Sequence, residues 1–100
     1  VELLEITSHN KSNHHTFGGT FKNIEDRTSF IAFMRERGVA TPFHYVDLHT
    51  SPYGSKFLRG GQKLSNCMKM SDGLARLPLF YNLTDDDQTY VIEQVKAFTS

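Results

Sequence analysis

The stretch Asn23-Ile24-Glu25-Asp26-Arg27-Thr28-Ser29-Phe30-Ile31-Ala32-Phe33-Met34-Arg35-Glu36-Arg37-Gly38-Val39-Ala40-Thr41-Pro42-Phe43-His44-Tyr45 changes its pattern partway along. Phe30, Ile31 and Met34 recur at helical spacing, which predicts a helix over 26–37. Asn23 or Asp26 can cap its start, and Gly38 suits the left-handed residue that follows a last turn. Past Gly38, Pro42 excludes a helix interior while the β-branched and aromatic residues favour an extended segment over 39–45, with Pro42 at a sheet edge. A helix that feeds an extended segment belongs to a mixed α and β domain.

Working outward, Phe17 and Phe21 fall on one face of a strand predicted over 16–21. Gly18 and Gly19 lie between them and mark either a bulge or a close backbone approach. The polar residues 7–15 cannot bury an apolar face, so 1–15 reads as a linker and 16–100 as the domain. On the other side, Pro52, Gly54, Gly60 and Gly61 punctuate an irregular loop between His49 and Gln62, of a length that usually binds something or orders against a partner. Leu64, Cys67, Met68 and residues 70–74 mark a second, shorter helix, and residues 77–80 a short extended stretch. Thr84 can cap the last helix, whose start carries Asp85, Asp86 and Asp87 and whose apolar stripe is Val91, Ile92, Val95 and Phe98. This order predicts a two-layer α+β sandwich, a small and mostly antiparallel sheet with helices on one face.

The composition narrows the partners. Of 100 residues, 11 are basic and 11 acidic, which removes the electrostatic footprint of a nucleic-acid or anionic-lipid binder. Eight phenylalanines and four tyrosines supply a core without metal or disulfide staples. The lone Cys67 has no internal partner, so a reducing cytoplasm is expected. The chain opens Val-Glu-Leu-Leu-Glu, with neither a signal peptide nor an initiator Met, and is expected to be a piece of something longer.

Residue types alone assign no chemistry. His44 with His49, and His14 with His15, are the candidates for a metal, but residues five apart on a strand point to opposite faces and no other ligand motif accompanies them. Cys67 falls in an apolar helix stripe, where a thiol is inert packing. No phosphate-cradling glycine loop is present, and the Asp85 to Asp87 run is explained as a helix start.

Two motifs go further. Gly38-Val39, then His44-Tyr45, Leu48-His49 and Pro52 resemble the C-terminal signature of the DegT/StrS-type sugar aminotransferases. Leu77-Pro78-Leu79-Phe80-Tyr81-Asn82-Leu83-Thr84 is similar to that family's Leu-Pro-Leu followed by a helix cap. The form of both, with Asn13-His14-His15-Thr16-Phe17, resembles most the dTDP-4-oxo-6-deoxyglucose transaminases of enterobacterial common antigen synthesis, except at Gly18-Gly19, where those relatives carry larger apolar residues.

The resemblance implies the small C-terminal domain of a fold-type-I enzyme, whose large domain holds pyridoxal phosphate and the lysine that carries it. Lys11, Lys22, Lys56, Lys63, Lys69 and Lys96 lack that lysine's context, so this piece is expected to hold neither a catalytic residue nor the cofactor, and to be inactive by itself. It further implies that His44, Tyr45 and His49 face the nucleotide-sugar cleft, with glutamate as amino donor and a homodimeric parent. Lys56 and Arg59 could approach the diphosphate, though a solvated loop charge is the simpler role. His44 and Tyr45 finishing a strand is the structural alternative for that pair. For the chain as a whole, a free-standing nucleotide-sugar binding or regulatory module on the same fold remains open, as does a small metal-binding protein using the histidines.

Overall fold

Asn23 sits in extended backbone, and its side-chain oxygen accepts from the Asp26 N–H at 2.7 Å, so Asn23 rather than Asp26 starts helix α1, Ile24–Glu36. Gly38 takes φ +74°, and the N–H groups of Gly38 and Val39 return to the carbonyls of Arg35 and Met34 at 3.0 and 2.9 Å. That left-handed step ends the helix and turns the chain back toward the sheet. These geometries come from a computed structural model, which describes residues 1–60 and 62–100; Gly61, within the loop expected at 49–62, lies outside the described residues.

The remaining elements are β1 (Glu2–Leu3), β2 (Phe17–Thr20), α2 (Ser65–Gly73), β3 (Leu74–Leu77) and α3 (Asp85–Thr99). The sheet is antiparallel throughout, in the order β1-β2-β3. Leu3 opposite Gly19 gives the segment before residue 15 a place in the sheet, while 7–15 carries no helix or strand.

Gly19 pairs with Ala75 and Gly18 with Arg76, one residue to one. The glycine pair is therefore a close approach and not a bulge. A Cβ on Gly18 would stand 2.5 Å from the Ala75 carbonyl oxygen, a separation that no larger residue tolerates without movement of the backbone.

Two extended segments fall elsewhere than the pattern predicts. Residues 39–45 form no strand: one bridge joins Phe43 to Ala75, and the Pro42 carbonyl accepts from the Arg76 N–H at 2.9 Å. Pro42 has no N–H to continue the ladder. The third strand is Leu74–Leu77 instead of 77–80, and it stops where Pro78 removes the next donor. Cys67 is exposed, against the expectation of buried packing. In α2 only the last turn, around Gly73, is enclosed, so the apolar residues of its earlier turns stay half in solvent.

The core lies between the sheet and the helices α1 and α3. Phe21, Phe30, Met34, Val39 and Ala75 are buried, with Ile31, Phe33, Leu77, Val91, Val95 and Phe98 packed against them. The Phe21 and Phe30 rings are 4.7 Å apart, and Phe98 meets Phe30 edge-on at 5.2 Å. Each such ring contributes about 2 kcal/mol through burial, with further gain from the tilted aromatic contacts. Thr84 caps α3, its hydroxyl accepting from the Asp87 N–H at 3.1 Å. Tyr90 on α3 donates to the Arg37 carbonyl at 3.1 Å and ties this helix to the end of α1.

Candidate functional site

After the bridge at Phe43 the chain leaves the sheet and has no regular structure until a 3-10 turn at Leu48–Thr50. One residue of α2 bonds to its backbone there. The Ser71 hydroxyl donates to the Tyr45 carbonyl at 3.0 Å and accepts from the Asp47 N–H at 3.2 Å. The carbonyl of the same Ser71 accepts from Arg27 Nη1 at 2.7 Å. It is one of the last α2 carbonyls, which lack intrahelical partners, and a guanidinium satisfies it at the negative end of the dipole. The Arg27 guanidinium also stands 5.3 Å from the centre of the Phe43 ring.

Asp47 and His49 form an inward-turned pair. His49 Nδ1 lies 2.8 Å from Asp47 Oδ2, with the side chains only 12% and 7% exposed. The contact is an ion pair in distance but lacks the alignment of a good hydrogen bond. Burial pushes the Asp47 carboxyl up, yet the Thr50 and Ser71 hydroxyls, its own backbone N–H and the neighbouring His49 outweigh this and hold it below its ordinary value.

The structure places the three sequence candidates differently. Tyr45 is 69% exposed and projects from the loop. The His44 ring meets the Tyr45 ring edge-on at 4.7 Å, and its Nδ1 is enclosed with no partner. His49 Nε2 is likewise enclosed and unpartnered. Among the described residues no hydrogen bond or ring contact joins His44 to His49. Arg27, Phe43, Tyr45, Asp47, Thr50 and Ser71 shape a concavity of about 280 Å³ beside the loop. Lys56 and Arg59 are exposed and do not line it.

Arg27, Asp47 and Ser71 are absent from the sequence-based candidates. Asp47 had a local signal, since it lies two residues before His49. Arg27 sits within a helix read for its apolar stripe, and Ser71 comes from a helix whose register to the loop no periodicity reveals. Among the described residues no group of three His, Cys, Asp or Glu side chains is arranged to hold a metal. No helix among them is long and apolar enough to cross a membrane.

The model of the DegT/DnrJ/EryC1/StrS aminotransferase family matches residues 1–96. The chain belongs to this family. Curated relatives include a protein named pleiotropic regulatory protein from Geobacillus stearothermophilus, 31% identical over 87 residues, covering 85% of this chain and 23% of the relative. Among solved structures, the aminotransferase TlmJ from Streptoalloteichus hindustanus superposes with a TM-score of 0.79 at 22% identity, over 96% of this chain and 25% of that one. A protein assigned as a sugar aminotransferase from Streptococcus pneumoniae, in its PMP form, gives 0.76 at 21% identity, over 98% and 25%. The fold is thus the α+β unit found in these aminotransferases. The DegT/DnrJ/EryC1/StrS chain described here spans about a quarter of the length of the relatives it matches.

Proposed function

We propose that this chain is the small domain of a pyridoxal-phosphate-dependent sugar aminotransferase, which moves an amino group from glutamate to a nucleotide-linked 4-keto-6-deoxy sugar. The observation that carries the reading, beyond family membership, is the concavity of about 280 Å³ lined by Tyr45, Asp47, Thr50 and Ser71 within the segment that carries the family motif. The phenol of Tyr45 and the polar floor beside it, Thr50 and Asp47, suit a hydroxyl-rich ligand.

All six lysines, Lys11, Lys22, Lys56, Lys63, Lys69 and Lys96, stand exposed, whereas a lysine that carries this cofactor is activated in a desolvated or cationic pocket. That exposure supports assigning the cofactor to the large domain of the parent. When bound there, it supplies the electron sink for amino transfer. This domain supplies position: it docks on its own large domain and presents residues 44–49 to the substrate. The substrate is a dTDP-4-oxo-6-deoxyglucose type of sugar used in cell-surface polysaccharide, including lipopolysaccharide or enterobacterial common antigen, and the parent is a cytoplasmic homodimer.

Two measurements on the parent polypeptide test this. Borohydride reduction with pyridoxal phosphate bound should leave one adduct, on a lysine outside these 100 residues; a stoichiometric adduct on a lysine within them overturns the assignment. His49→Ala should raise KM for the nucleotide sugar with less effect on glutamate. Unchanged kinetics with both substrates would remove His49 from the site, and a parent with no adduct at all would favour a nucleotide-sugar binding module.

A further inference from the structure

The loop that carries Tyr45, Asp47 and His49 has no ladder of its own, and one side chain outside it holds it by two hydrogen bonds. Ser71 Oγ donates to the Tyr45 carbonyl at 3.0 Å and accepts from the Asp47 N–H at 3.2 Å, so it clamps the backbone on both sides of Val46. Ser71 is itself fixed. Its carbonyl is held by Arg27 Nη1 at 2.7 Å, and Arg27 stands on α1, the helix that supplies the buried core residues Phe30 and Met34. A chain of hydrogen bonds therefore runs from α1 through Arg27 and Ser71 to the loop, ending on either side of the exposed Val46, at the backbone of Tyr45 and Asp47.

We infer that Ser71 is a positioning residue for the substrate: it touches no reacting group, but sets where Tyr45 and, through Asp47, His49 stand. The hydroxyl is suited to the task because it donates and accepts at once, and both backbone partners would otherwise depend on solvent. Placement matters here because a hydrogen bond to the substrate weakens steeply once its distance or alignment is lost. Thr50 reinforces the far end, its hydroxyl donating to the Asp47 carbonyl at 3.2 Å. This inference rests on the reading that residues 44–49 face the nucleotide sugar.

The test is Ser71→Ala and Ser71→Thr in the parent protein, beside Tyr45→Ala and His49→Ala. Ser71→Ala should raise KM for the nucleotide sugar about tenfold while kcat and KM for glutamate change little, and Ser71→Thr, which keeps the hydroxyl, should restore the parent value. Hydrogen exchange supplies a readout independent of activity: in Ser71→Ala the Asp47 amide should lose protection while the amides of α1 keep theirs. Retained protection at Asp47 overturns the inference, as does a Ser71→Ala variant with unchanged KM when Tyr45→Ala and His49→Ala both raise it. If all three alanine variants leave KM unchanged, the underlying assignment of residues 44–49 to the substrate fails instead. A KM defect in Ser71→Ala that Ser71→Thr does not correct would assign the effect to packing and also overturn it.

Discussion

Gly18 and Ala75 approach each other so closely across β2 and β3 that a Cβ on the glycine would stand 2.5 Å from the alanine carbonyl oxygen. The nearest atoms belong to backbone, which cannot swing aside as a side-chain end would. Gly18→Val should therefore destabilise the chain by about 1–3 kcal/mol, the usual cost of overpacking. Thermal or urea unfolding measures it, and an unchanged midpoint would mean that the strands separate without loss.

Phe30 is 2% exposed at the centre of the aromatic cluster, between Phe21 and Phe98. Removing the ring leaves a cavity that neither neighbour can fill from its present rotamer. Phe30→Ala is expected to cost about 3–5 kcal/mol, a large share of a small domain's stability. Denaturant titration by circular dichroism gives the figure, and a loss near zero would place Phe30 outside the core.

Asp47 predicts a pH dependence with a definite sign. Its carboxyl is held below the ordinary value of 3.8, so the folded state favours the ionised form. The stabilisation is present above that ordinary value and is lost as pH falls through the lower folded value, because the unfolded chain binds the proton more readily in between. In Asp47→Asn this part of the acid limb of the stability curve should flatten below pH of about 4. Parallel acid limbs in the two proteins would show that Asp47 gains nothing from its loop partners.

The sequence carried the helices well because their signals are local. Asn23, Gly38 and Thr84 mark ends by chemistry within one turn, and of the expected stripe Val91, Val95 and Phe98 pack against the core while Ile92, one position round the helix from Val91, stays exposed. It carried the strands less well. Pro42 and Pro78 were read as sitting inside or beside extended segments, but what decides a ladder is the missing donor, which left one bridge at Phe43 and moved β3 back to Leu74–Leu77. At the site, the motif containing His44, Tyr45 and His49 was legible, while the inward turn of His49 and the clamp by Ser71 depend on how α2 meets the loop, a long-range fact without periodicity. The exposure of Cys67 has the same origin, since only the end of α2 is enclosed.

The pairing of β2 with β3 joins residues far apart in the chain, Phe17 with Leu77 and Thr20 with Leu74. Every residue of α1, of the 3-10 turn at Leu48–Thr50 and of α2 lies in the intervening loop. Closing so long a loop costs chain entropy before the β2–β3 hydrogen bonds repay it, so that pairing is expected late, with the helices supplying the early gain. A nascent chain synthesised only as far as residue 70 can pair β2 with β1 alone, and Gly18, which suits the close approach of the Ala75 carbonyl, remains without the strand that gives it its purpose.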